Sequence, residues 1–133
     1  MKNKLMNSLR YNLPVIIILS IFSLSILFSN DETTLYEQTD VLISEGRYSE
    51  AVDNLIILNQ EDPNNHLVQF YLGYCHLNLN ELDKAKMYFL QIVDVEFKDK
   101  QSVYYNLACI SFRKKENPSG LNYLEHTFRL GYS

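Results

Sequence analysis

Hydrophobic and polar positions divide the chain into two unlike parts. Between Arg10 and Asp31 no residue is charged, and Val15-Ile16-Ile17-Ile18-Leu19 and Ile26-Leu27-Phe28 form the centre of a run without the polar stripe of an amphipathic helix. From residue 32 onward, apolar clusters alternate with short polar punctuation, which predicts helices near 32–45, 48–60, 65–79, 81–95, 100–115 and 118–130. Gly46 suits the left-handed residue that ends a helix. Asp62-Pro63-Asn64-Asn65 suits a turn, and Asn117-Pro118 a cap followed by proline in the first helical turn. Val103-Tyr104-Tyr105 alone has strand character, which helical packing on either side overrides.

The helical part repeats itself. Gly46-Arg47-Tyr48-Ser49-Glu50-Ala51 is echoed 34 residues later by Asn80-Glu81-Leu82-Asp83-Lys84-Ala85, and 35 further on by a degraded Lys115-Glu116-Asn117-Pro118-Ser119-Gly120. Upstream, Phe70-Tyr71-Leu72-Gly73-Tyr74-Cys75 aligns with Tyr105-Asn106-Leu107-Ala108-Cys109-Ile110 at the same 35-residue offset. Gly73 and Ala108 are small where the first helix of a pair must admit its partner, and Ala51 and Ala85 are small on the second. A period of this length means helix pairs that bury their apolar faces by stacking, and so present a surface rather than a cleft.

With Pro63 closing the first unit after Leu55 and Leu58, the pattern resembles the tetratricopeptide repeat over roughly residues 32–133. The resemblance implies an all-α, right-handed superhelical stack of about three helix-turn-helix units, near 32–65, 66–100 and 101–133, and a non-catalytic role in protein–protein interaction. Departures are Gln38-Thr39 in place of Leu-Gly, Phe97 in place of the second proline, and Gly120 in place of Ala; one inserted residue near Lys98–Lys100 lengthens the period.

The uncharged run reads as a membrane segment occupying residues 1–30, ahead of a repeat domain over 31–133. Twenty residues, Tyr11 to Asn30, make a helix of about 30 Å, enough to cross a bilayer core. Lys2, Lys4 and Arg10 before it and Asp31-Glu32 after it place the N-terminus in the cytoplasm and the repeats beyond the membrane. A cleaved secretory signal, which would leave a secreted protein, is the alternative. Cutting after Ser23-Leu24-Ser25 would leave Ile26-Leu27-Phe28 as an apolar terminus, which favours a retained signal anchor.

Charge sharpens the division. Residues 31–133 hold nine basic and 16 acidic side chains, a net of minus seven, which argues against a nucleic-acid partner and against an electrostatic grip on anionic lipid. About 100 residues of helix pairs suffice for one core.

Candidate binding residues follow from reading the first helix of each pair by slot. One slot holds Tyr36, Phe70 and Tyr105, a second Ile43, Leu77 and Phe112, and between them lie Asp40, Tyr74 and Cys109. These line an aromatic and aliphatic trough, with Ser44, Asn78 and Arg113 at its polar end, suited to an extended or helical peptide. In repeat proteins of this type that hold chaperone tails, Lys, Asn and Arg clamp a C-terminal carboxylate. Here Asp40, Cys109 and aromatic rings stand at the matching places, so the resemblance implies no such ligand. Arg113, Lys114 and Lys115 can meet an acidic group at the edge of the third unit or serve only as cations at a helix end.

Chemistry is otherwise sparse. Cys75 shares an apolar slot with Val41 and Ile110 while Cys109 faces the trough, so the two thiols point apart and no disulfide is expected. His66, His76 and His126 lack metal-ligand spacing, and Ser111-Phe112-Arg113-Lys114 matches a Ser-x-x-Lys string without its companion motifs. No catalytic residue, metal or cofactor is implied. On the last helix, Leu121, Leu124 and Phe128 recur at helical spacing and form an edge that a partner protein, the membrane surface or a second copy, as a homodimer, can cover. Two roles therefore stand: an anchored adaptor that presents its trough outside the cytoplasm for assembly of an envelope complex, and a structural subunit that docks through this edge.

Overall fold

The computed structural model describes residues 34–131. Six helices follow one another: α1 over residues 34–44, α2 Tyr48–Glu61, α3 His66–Asn78, α4 Leu82–Ile92, α5 Lys100–Arg113 and α6 Asn117–Gly131, with no strand among the described residues. Internal contacts divide the chain into residues 1–38 and 39–133, and α1 runs across that boundary; the packing below is that of residues 39–131. The membrane segment read at residues 11–30 lies outside the described residues. Among those described, no helix is long and apolar enough to cross a membrane.

Helices form antiparallel pairs because the chain reverses at one left-handed residue per pair. Gly46 (φ 72°), Asn80 (φ 61°) and Lys115 (φ 62°) occupy the same repeat position. Each closes its helix with the same two hydrogen bonds. The Gly46 N–H donates to Ile43 O (3.1 Å) and the Arg47 N–H to Leu42 O (2.8 Å); Asn80 and Glu81 do the same to Leu77 and His76, and Lys115 and Glu116 to Phe112 and Ser111. This is the Schellman arrangement, which satisfies carbonyls at a helix end. At the other kind of junction, the Asn65 side chain accepts from the Val68 N–H and starts α3.

From α2 onward successive helices pack along the chain, and α3 also touches α5 directly. Ala51, Leu55 and Leu58 of α2 are buried, as are Val68, Leu72 and Cys75 of α3. A second cluster joins Leu77, Ala85, Phe89, Ile92 and Val93 to Val103, Leu107 and Ile110 of α5. Gly73 shows why a small residue is required there: a Cβ would lie 2.9 Å from the Phe89 ring. Val103-Tyr104-Tyr105 is helical, with Val103 fully buried and Tyr104 stacked on His126 of α6 at 4.8 Å.

Two expectations are corrected. The fourth helix ends at Ile92 rather than 95, because Val93 enters the core and Val95 and Phe97 fold back onto it. Val41, expected to be buried with Cys75 and Ile110, is 53% exposed while they are 0%. Cys75 and Ile110 lie on helices that follow another hairpin, whereas within residues 39–131 none precedes α1.

Lys115 is the one turn residue of the three with no natural tolerance for a left-handed backbone, a conformation that costs about 1 kcal/mol or more for an ordinary side chain. Replacement by glycine also loosens the unfolded chain, so Lys115→Gly is expected to stabilise by about 0.5–1 kcal/mol, and Gly46→Val to destabilise by at least as much. Urea unfolding followed by helical ellipticity measures both.

Candidate functional site

Most of the candidate residues are spread over the first helices of the second and third hairpins, α3 and α5, which touch directly. Arg113 ties the two together: its guanidinium donates to the Leu77 carbonyl (3.1 Å), across 36 residues of sequence. The Leu77 carbonyl already accepts from the Asn80 N–H, so Arg113 is its second donor and links the two helices at that point. Arg113 therefore serves the junction itself.

The open part of the surface is aromatic. Tyr105 is 54% exposed and Phe112 39%; Cys109 and Tyr74 are half-buried, and Asp40 of α1 is exposed beside half-buried Ile43. Tyr74 meets the edge of Tyr48 of α2 at a centroid distance of 6.1 Å. Burial, followed by the neighbouring Tyr74, pushes the Tyr48 phenol above its ordinary range, and the Cys109 thiol does the same for Tyr105. Both hydroxyls stay protonated at neutral pH. The surface thus offers apolar ring faces with uncharged hydroxyls at their rims, a chemistry suited to peptide contact.

Two trough residues are placed elsewhere. Leu77 is 6% exposed and belongs to the core cluster with Ala85 and Phe89. Phe70 is half-buried among rings, stacked on Phe97 at 5.6 Å and edge-on to Phe89 (5.7 Å) and Tyr71 (5.8 Å). Phe97, which stands in the repeat where a proline is usual, is the cause: the connector after α4 lays its ring on Phe70 and closes that part of the surface. Tyr36, also half-buried, belongs to residues 1–38. Tyr48, which lies on a second helix and meets Tyr74, is a contributor that the slots of the first helices do not contain.

Phe112 has a second face. Its ring covers Gly120 of α6 so closely that a Cβ there would lie 2.8 Å away. The equivalent pair one repeat earlier is Leu77 and Ala85, both in the core. A larger side chain on the first helix is thus matched by a smaller one on the second, which explains glycine where the repeat expects alanine.

At the C-terminal edge, Leu121 and Phe128 are 61% and 54% exposed and Leu124 is half-buried. Lys114 is engaged with Asp83 and Glu116. From residue 34 to 83 the only Lys or Arg is Arg47, bound to Glu45 and Glu50, so this end of the domain repels acidic partners. Cys75 and Cys109 are both free thiols. His76 is buried with its ring stacked on Tyr88 at 5.6 Å, and its Nδ1–H donates to Glu81, a satisfied structural role. Among the described residues, no group of three His, Cys, Asp or Glu is placed to hold a metal ion.

Gly120→Ala is expected to destabilise by about 1–2 kcal/mol, overpacking against Phe112 exceeding the gain of about 1 kcal/mol in helix propensity. Adding Phe112→Leu recreates the Leu77/Ala85 pairing and restores wild-type stability or better. A double-mutant cycle on unfolding free energy reads the coupling directly.

A family model, that of the tetratricopeptide repeat, matches residues 42–107. No curated protein matches the chain. The matched segment begins in α1, contains α2, α3 and α4, and ends within α5. With its period, its recurring left-handed turns and its small residues at helix crossings, the stretch 42–107 is similar to the tetratricopeptide repeat.

Proposed function

We propose that this protein is a membrane-tethered interaction module that holds a protein partner on the inner surface of its repeats, outside the cytoplasm, as part of an envelope assembly. Repeats of this family are protein–protein interaction modules. The observation that carries the specific reading is the exposure of Tyr105 and Phe112 on α5, with Tyr74 beside them in the register: large rings are left open on a helix whose other side is fully buried. The tether rests on the uncharged run from Tyr11 to Asn30 and on the positive residues before it. No catalytic step is assigned, since no nucleophile, base and charge-stabilising group converge on this surface.

A photo-crosslinking residue at position 105, introduced into the full chain in its native membrane, is expected to yield one discrete partner adduct. The adduct disappears with Tyr74→Ala plus Phe112→Ala and persists with the outer-face change Ile57→Ala. Equal adduct yield in all three backgrounds refutes the inner surface as the binding site. Resistance of the chain to alkaline extraction, with an intact mass that includes residues 1–30, is the expected result for the tether; a mass lacking them identifies a cleaved signal.

A further inference from the structure

The junction between the second and third hairpins is built differently from the one before it. Lys114 reaches Asp83 of α4 and lies 3.7 Å from Glu116; Glu116 in turn accepts from Lys86 of α4 at 2.8 Å. Four alternating charges, two on α4 and two on the turn that joins α5 to α6, thus form a chain of three ion pairs across the junction. Lys86, Lys114 and Glu116 have side chains 26%, 28% and 36% exposed, whereas Asp83 is 88% exposed, so the Lys86–Glu116 arm is the shielded one. One repeat earlier the equivalent positions hold Ser49, Val52, Leu79 and Glu81. Val52 is 8% exposed, and Glu81 turns to His76 and Lys84 within its own hairpin. At these positions the earlier junction is mainly apolar, whereas the later one sets ion pairs at the rim of the buried cluster that joins Leu77, Phe89 and Ile92 to Val103, Leu107 and Ile110.

We propose that this network is an ionic clasp on the rim of the apolar junction, weakened by salt or acid, which sets how readily the third hairpin opens from the second and leaves the packing of α2 on α3 unaffected. A single exposed ion pair contributes little, but a partly shielded network of four loses several contacts together when one member is screened or protonated. The other charges that face the network do not replace it. Glu81 and Lys84 bind within their hairpin, Arg113 sits on the Leu77 carbonyl, Lys115 is exposed beyond it, and the first turn of α6 is uncharged. Hydrogen bonds from Lys114 to Asp83 and from Lys86 to Glu116 hold both carboxyls below their ordinary range. Their contribution is therefore present above the ordinary carboxylate range and is lost as pH falls through the lowered values. Tyr105 and Phe112 ride on the third hairpin and Tyr74 on the second, so opening the clasp separates the rings.

Hydrogen exchange of the full chain in a neutral detergent tests this at peptide resolution. Raising NaCl from about 20 to about 500 mM is expected to lower protection of residues 100–131 by about threefold or more, with less than a twofold change over residues 48–78. A shift from pH of about 6 to about 3.5, corrected for intrinsic exchange, gives the same contrast. Glu116→Gln and, separately, Lys86→Met abolish the salt response. The proposal is overturned if protection of 100–131 ignores salt, if both regions respond equally, or if both variants keep the full salt response.

Discussion

Helices of 11 to 15 residues are marginal on their own, and here each is held by lying closely against its neighbour. The closest approach is set by rings resting on bare backbone: Phe89 on Gly73, and Phe112 on Gly120. No methyl group fits between ring and helix at either place, so the crossing of α3 with α4 and of α5 with α6 is fixed by the size of one residue. The buried set of Leu77, Phe89, Ile92, Val103 and Leu107 then follows from helices already drawn together, and so does the direction in which Tyr74 and Tyr105 point.

Much of this is legible in the sequence, for reasons that are local. A left-handed residue at 46 and 80 is written as Gly and Asn, residue types that adopt that backbone readily, and the spacing of Leu72-Gly73 to Leu107-Ala108 gives the register of the helix pairs. Lys115 was found only through its spacing, because its side chain carries no turn signal. The candidate surface was less legible. Slot arithmetic places a residue around its own helix axis but says nothing about what a connector lays over it. Phe70 is covered by Phe97, from a seven-residue link whose fold no helical periodicity describes. Leu77 is drawn inward by contacts between hairpins, and Arg113 is engaged by a carbonyl 36 residues away that its own helix does not reveal.

The two junctions within residues 39–131 illustrate how one repeat architecture supports unequal behaviour. Burial of Val52 makes the first indifferent to moderate salt, since apolar contact is not screened. Charges at the rim of the second add a salt-dependent part to the apolar cluster that joins Leu77 and Phe89 to Val103 and Leu107. Such a domain is uniform in its geometry and graded in its resilience, as expected when stability is a sum over neighbouring contacts rather than the property of one common core.

The state of the two thiols bears on how the protein fares in an oxidising compartment. Cys75 is fully buried, and that burial pushes its thiol up to about 11. At neutral pH only about one molecule in ten thousand then carries the reactive thiolate at that position. Cys109, half-exposed among the rings of α5, is the thiol that peroxide, nitric oxide donors or maleimide dyes can reach. A fluorophore attached there would sit beside Tyr105, where its emission reports directly on whatever comes to rest against the rings.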